Sequence, residues 1–536
     1  MGERVAVIGL GLHGVVALKN LREEGFDAVG FDKNPYIGGL WRYTTDETTL
    51  SVTQHTKTNN SQQRLAFSDF PARYTTNYPD AREIADYIDE YAKHFNLVPH
   101  CRLGLGLHRL DRSDKSEHWD LTLQGRDGSL VTEQFSRVLL TTGSQNRLVI
   151  PKFEGQEHFK GKIIHSRAFK DAKPFAGQRV LLVGLSNTAG DVAAELSEVC
   201  PEVFVSHRSG VLVVERTPEG QKPTDHLATR RVNSIILTIN RNFPRVAGYI
   251  GNIGLELKMK YAMKVKPEWG LLPAHPIANA APMMNDYFLD LSRSGRLKHS
   301  PGISSMATDG HTINFTNGTS LSNVDTIILC TGAEPDFSFL GPSANPTLHP
   351  TPEWDNHRHN FNHMPYPRLF RGVFPPSKHT ESLAFIGAYR GHGISAFINA
   401  DLASQAIAQV WKGNFELPPQ AEREAWCDEH YKGMLRHLEA WRTVQVGQNA
   451  KEFERFLNEA AGNGINQKLG WGWEGWSFMF RNWRLYRLLM DGVDGPWILR
   501  LFDSPREERG RKKWEGAEAE VWRVNGLEPP TSKKAV

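Results

Sequence analysis

The chain reads as an α/β protein with two Rossmann-like dinucleotide-binding domains, the second inserted in the first. Three observations predict this. A glycine turn follows a short apolar strand near the start, a looser turn of the same kind stands at residue 184, and 536 residues exceed what one core usually holds.

Arg4 to Ile8 is an apolar strand, residues 12–24 a helix and Ala28 to Asp32 a second strand, which together make a βαβ opening. Three glycines interrupt the run from Val5 to Leu18, so it does not read as a signal peptide. Ile84, Tyr87, Ile88 and Tyr91 recur at helical spacing and predict a helix over 81–94. Trp119, Leu121 and Leu123 alternate before an Asp127-Gly128 turn, a hairpin leading into the buried strand from Val138 to Thr141. A second βαβ unit opens at Gln178, with a strand from Arg179 to Val183 and a helix from Ala189 to Leu196. Ile313 and Phe315 alternate up to an Asn317-Gly318 turn, and Val324 to Cys330 is a continuous apolar strand ending in Thr331-Gly332. The expected domains are 1–172 and 323–536 for the two parts of the outer domain, the latter ending in a helical extension, and 173–322 for the insert. The Pro-rich stretch 344–376 reads as surface loop.

Composition excludes several classes of function. Lys plus Arg number 63 against 60 Asp plus Glu, a net charge of +3 that makes no case for nucleic acid. Cysteines at 101, 200, 330 and 427 are too far apart for a redox pair or a zinc knuckle, so neither a disulfide reductase nor a metal site is expected. No apolar run approaches the ~20 residues that cross a bilayer, and the terminus Ser532 to Val536 is polar. The expected location is the cytoplasm, with peripheral contact to an intracellular membrane left open and oligomeric state unread. From Trp476 to Met490, Trp476, Phe480 and Trp483 fall on one helical side, and Arg481, Arg484 and Arg487 on another. A membrane-surface helix is one reading of this segment, and a packed helix with a solvated arginine face is the expected one. The stretch Val232 to Met263 carries the same ambiguity.

The first turn, Gly9-Leu10-Gly11-Leu12-His13-Gly14, stands between strand and helix, as a pyrophosphate site requires. Gly9 permits the tight turn, Gly11 close approach of the phosphates and Gly14 close helix packing. The amides of Leu12 and His13 are then free to meet phosphate oxygens. Asp32 follows at the strand end, where a carboxylate accepts ribose hydroxyls. The second turn, Gly184-Leu185-Ser186-Asn187-Thr188-Ala189-Gly190-Asp191, has Ser186 and Ala189 in glycine positions. Beyond it, Arg208 stands where an acid is expected for NADH, and a guanidinium there suits the 2′-phosphate of NADPH.

Between the two turns, Phe159-Lys160-Gly161-Lys162-Ile163-Ile164-His165-Ser166-Arg167-Ala168-Phe169 resembles the FxGxxxHxxx(Y/F) sequence of flavin-containing monooxygenases. Ile37-Gly38-Gly39-Leu40-Trp41, Thr58-Asn59-Asn60, Phe67-Ser68-Asp69-Phe70-Pro71, Trp269-Gly270-Leu271 and Lys513-Trp514-Glu515-Gly516-Ala517 are similar to segments of the same family, so the resemblance runs nearly end to end. It implies an enzyme that binds FAD at the first turn and NADPH at the second. In such an enzyme reduced flavin reacts with O2, and the resulting C4a-hydroperoxyflavin gives one oxygen atom to a small nitrogen, sulfur or electron-rich alkene substrate. It places Gly39, Leu40, Trp41, Thr58 and Asn60 at the FAD, and Gly184, Ser186, Asn187, Thr188, Ala189, Asp191 and Arg208 at the NADPH. Asn59 becomes the catalytic residue, a neutral amide that donates and accepts without exchanging protons. Asp32 replaces the glutamate common in animal members, and Ala189 is expected to hold the second phosphate farther out. His165 is expected to be structural. Two alternatives stay open. One is a Baeyer–Villiger oxygenase, whose related motif ends in Trp where this one has Phe169-Lys170; the other is a redox sensor that binds both nucleotides without oxygen transfer.

Overall fold

The computed structural model describes residues 3–112, 117–218, 221–243, 252–275, 281–360, 363–377, 379–389, 395–441, 446–447, 449–504 and 510–529. The opening unit is β1 (Arg4–Ile8), α1 (Leu12–Glu23) and β2 (Asp27–Asp32). Then come α2 (Ala81–His94), β3 (Cys101–Leu103), β4 (Leu105–Asp111), β5 (Trp119–Gly125), β6 (Leu130–Phe135) and β7 (Arg137–Leu140). The second unit holds β8 (Lys162–His165), β9 (Arg179–Val183), α3 (Asn187–Leu196), β10 (Glu202–Ser206), α4 (Arg230–Asn242), β11 (Leu297–Ser300) and β12 (Thr326–Leu329). The chain ends with β13 (Leu383–Phe385), α5 (Ala396–Trp411), α6 (Gln420–Trp441), α7 (Ala450–Ala461), α8 (Trp473–Arg481), α9 (Trp483–Asp491) and α10 (Ala517–Val524).

Two five-stranded parallel sheets result, one ordered β13-β7-β1-β2-β3 and the other β11-β10-β9-β12-β8. Each has its first βαβ strand in the middle, flanked by the next strand and by a late apolar one. Parallel strands buried on both faces demand continuous apolar runs, and β9 and β12 supply them. The predicted amphipathic helix is α2, which buries Ile84, Tyr87, Ile88 and Tyr91 and starts on a capping box between Asp80 and Glu83. Its apolar side packs in one core with α1 and α5, while Val180, Leu182, Ala189 and Val192 belong to a separate core in the second unit. Trp119, Leu121 and Leu123 on β5 close the other face of the first sheet.

The structure differs from expectation in three places. Lys162 to His165 and Thr326 to Leu329 are strands of the second sheet, because β12 pairs with both β9 and β8. Both strands lie outside the 173–322 span expected for the insert. The Pro-rich stretch 344–376 is not surface loop, since Trp354, Leu369 and Phe374 are fully buried in it. Proline removes backbone donors but leaves the intervening side chains free to pack, and Asn360 satisfies the backbone by accepting from Met364 N–H and donating to the Trp354 and Met364 carbonyls. The helix expected from 476 to 490 breaks at Asn482 into α8 and α9, and its aromatic side faces outward. Residues 244–251 of the Val232–Met263 stretch and the terminus from Ser532 lie outside the described residues. Among the described residues no helix is long and apolar enough to cross a membrane, and no cluster of ligating side chains has metal geometry.

Candidate active site

Both glycine turns sit at the carboxyl ends of the parallel strands, where open α/β sheets receive ligands. They repeat one device. Gly9 has φ +97° and Gly184 φ +105°, conformations that disfavour any side chain. The Gly9 amide donates to the Phe31 carbonyl at 2.7 Å, and the Gly184 amide to the Ser206 carbonyl at 2.9 Å. A Cβ on Gly9 would lie 2.9 Å from the Thr141 carbonyl oxygen, and one on Gly184 2.6 Å from that of Cys330. The turns are thus wedged between the strand that follows the helix and the late apolar strand of each sheet.

The first turn is the tighter. A Cβ on Gly14 would fall inside the Gly9 carbonyl, and Gly39 comes so close to Gly11 that its own Cβ would stand 2.8 Å from the Gly11 Cα. Gly39, Leu40 and Trp41 form a single helical turn, and Leu40 accepts from the Val52 amide at 2.9 Å. No side chain caps α1, which leaves the first amides, including those of Leu12 and His13, for an anion. Burial lowers the His13 ring to about 4, so it stays neutral. Asp32 accepts from the Leu10 amide at 2.7 Å and the Asn34 amide at 2.8 Å, which holds the turn and leaves lone pairs for ribose hydroxyls. Its burial raises the carboxyl above the usual range.

In the second turn Ser186 is the N-cap of α3 without a side-chain cap, and Thr188 is exposed beside it. Ala189 is completely buried, so its methyl group fits where Gly14 has no room for one. The Asn187 amide oxygen is already engaged, accepting from Met284 N–H at 2.7 Å. Arg208 is exposed just past β10, with its aliphatic stem against Gly302. Burial lifts the Asp191 carboxyl to about 7 against the pull of Arg216, and the Asn285 amide donates to it at 3.3 Å. His165 contacts the Gly332 carbonyl through Nε2 at 3.0 Å and accepts from Arg167 N–H at 3.2 Å, and burial pushes its ring below the usual imidazole range.

The Thr58-Asn59-Asn60 loop leaves the first unit and is fastened to the second. Thr53 Oγ1 donates to Glu195 on α3 at 2.9 Å, and the Ser61 amide donates to Asp225 at 2.7 Å. Arg216 is the central fastener, buried to 3% exposure. Its Nε donates to the Thr58 carbonyl at 2.9 Å and one terminal nitrogen to Asn59 Oδ1 at 3.3 Å, while the other pairs with Asp286 at 3.3 Å. Thr58 is buried and Asn60 half-buried, while Asn59 is exposed. A guanidinium has no acceptor, so Oδ1 of Asn59 must face it and the amide N–H groups point elsewhere. Arg216, Asp225, Asn285 and Asp286 carry no signal in the sequence, because each meets its partner across 94 to 164 residues or from an irregular segment.

The flavin-binding monooxygenase-like family matches residues 2–461. "Monooxygenase aurF" of Gibberella zeae is 35% identical over 97% of each chain. Human "Flavin-containing monooxygenase 3" is 30% identical over 83% of this chain and 80% of its own. Among solved structures, the S-allyl-L-cysteine S-oxygenase from Allium sativum aligns over 92% of this chain and 96% of its own with a TM-score of 0.61 and 21% identity. An open form of cyclohexanone monooxygenase aligns over 86% and 98%, at 0.62 and 18%.

Proposed function

From the premise that the chain belongs to the flavin-binding monooxygenase-like family and is an NADPH-dependent flavin monooxygenase, we propose that it oxygenates a nucleophilic nitrogen or sulfur, or an electron-rich alkene, of a small organic molecule. The first glycine turn with Asp32 fits the FAD, and the second with Arg208 fits the NADPH. When bound, reduced FAD supplies the activation of O2, and the chain's own residues supply placement and protection.

The observation that carries this reading is the hold of Arg216 on Asn59 across the two units. With Oδ1 fixed on a donor-only partner, the exposed amide of Asn59 offers its N–H groups to whatever lies between the nucleotides. It donates hydrogen bonds there without taking or releasing a proton, unlike a carboxylate or an imidazole. Asp286 neutralises Arg216 behind it, so the guanidinium orients the amide without leaving an unpaired charge under the site.

The test is to reduce the FAD-loaded protein with NADPH, admit air with methyl phenyl sulfide as probe, and count sulfoxide and hydrogen peroxide per NADPH. In Asn59→Ala the rate of flavin reduction is expected to stay within about twofold, while sulfoxide per NADPH falls roughly tenfold or more and peroxide rises in its place. Arg216→Met is expected to shift the same ratio in the same direction. An unchanged ratio in Asn59→Ala removes that residue from the chemistry, and ester formation from a ketone probe in place of sulfoxide would favour the Baeyer–Villiger reading.

A further inference from the structure

The two short helices near the C-terminus present a surface that the monooxygenase reaction does not use. α8 buries only Gly475, and α9 only Leu485 and Leu489. The large rings are left outside: Trp471 is 87% exposed, Trp473 85%, Phe480 76% and Trp483 54%. They are ordered against one another, with Trp471 edge-on to Trp476 at 5.9 Å between centroids and Trp476 stacked on Phe480 at 6.2 Å. Next to them along the chain are Arg481, Arg484 and Arg487, all exposed and without an ion pair among the described residues. The acids of the segment are already taken, Glu474 by Lys468 at 3.1 Å and Asp491 by Arg231 at 2.6 Å. Arg231 belongs to α4, which packs on α9 and exposes Ile235 and Ile236.

We propose that this face docks on the headgroup layer of an anionic lipid bilayer. Indole rings pair an apolar body with an N–H donor and so favour the boundary between acyl chains and headgroups. Uncompensated arginines complement lipid phosphates and the negative surface potential. A second copy of the chain does not fit the same face: a two-fold contact sets the same patch on both partners and brings the three arginines of one copy toward those of the other. Among the described residues no helix is long and apolar enough to span a bilayer, and the proposed attachment is a peripheral one.

The full chain with FAD bound, sedimented with phosphatidylcholine vesicles with or without phosphatidylserine, tests this. Partition is expected to rise with phosphatidylserine and fall with salt, with a blue shift of tryptophan emission on binding. The triple variant Arg481→Gln, Arg484→Gln, Arg487→Gln is expected to lose affinity for phosphatidylserine vesicles on the order of 100-fold, taking ~1 kcal/mol per cation near the surface. The triple variant Trp471→Ser, Trp473→Ser, Phe480→Ser is expected to lose the emission shift and most binding to both vesicle types. NADPH oxidation in solution is expected to be unchanged in both, which confirms that they fold. The proposal is overturned if the wild type ignores both vesicles, if either variant binds as well as wild type, or if the aromatic variant instead abolishes a concentration-dependent dimer of a protein that does not bind lipid.

Discussion

Asp191 shows how burial converts an ordinary side chain into a pH-dependent one. Its carboxyl, raised to about 7 by desolvation, is neutral below that pH and charged above it. It stands in the second turn of α3, at the end of the helix proposed to meet the NADPH phosphates, so its ionisation adds a negative charge at that proposed anion site. KM for NADPH is therefore expected to rise severalfold as pH passes upward through about 7, and Asp191→Asn is expected to flatten that profile. Stability follows the same sign. Between the usual carboxylate range and about 7 the folded chain holds a proton that the unfolded chain has lost, so stability falls as pH rises through that window. Thermal midpoints measured from about pH 4 up to about pH 7 should show this slope in the wild type and a smaller one in Asp191→Asn. At this scale the sequence revealed the residues with local tasks, such as Gly9, Gly14 and Asp32. Arg216 was invisible because its task is to meet Asn59 from 157 residues away.

Among elements, the two turns differ in one respect that has consequences. Both bend at a glycine with positive φ, but α1 lies so close that only glycine fits at residue 14, whereas α3 accepts the methyl of Ala189. Gly14→Ala is expected to push α1 off the first strand at a cost of about 1–3 kcal/mol, as overpacking does, and to release FAD. The ratio of flavin to protein absorbance in the purified variant measures the loss, and an undiminished ratio would mean that the helix shifts without disturbing the site. The same scale explains two misread segments. Proline and glycine in 344–376 imply irregular backbone, and they do not imply exposure; Trp354 and Phe374 found a core that no local pattern announces. The periodicity over 476–490 falls on two helices broken at Asn482, and periodicity names a face without naming what covers it.

For the whole molecule, the C-terminal part is locked to the first nucleotide unit by a buried polar cluster. Arg500, 2% exposed, donates to Glu23 at 2.6 Å and Asn20 at 2.8 Å on α1, and pairs with Asp69 at 3.4 Å, while Lys19 pairs with Glu23 and Asp69. Asp69 lies in the Phe67-to-Pro71 segment whose family resemblance was evident in the sequence. Breaking such a cluster strands a buried charge, so Arg500→Met is expected to cost about 3–5 kcal/mol, read as a lowered unfolding midpoint. Arg500→Lys should recover little of it, since an ammonium cannot reach three partners from one planar fork.

The sequence by itself determined the two βαβ openings and the family, because these are legible in near neighbours along the chain: strand period, turn conformation and short motifs. Tertiary structure alone decided that β8 and β12 join the second sheet, since parallel pairing is set by what lies alongside and not by the strand's own residues. It also decided that Arg216 bridges the units to Asn59 and that the rings of α8 and α9 face outward, because burial and long-range hydrogen bonds are properties of the assembled surfaces.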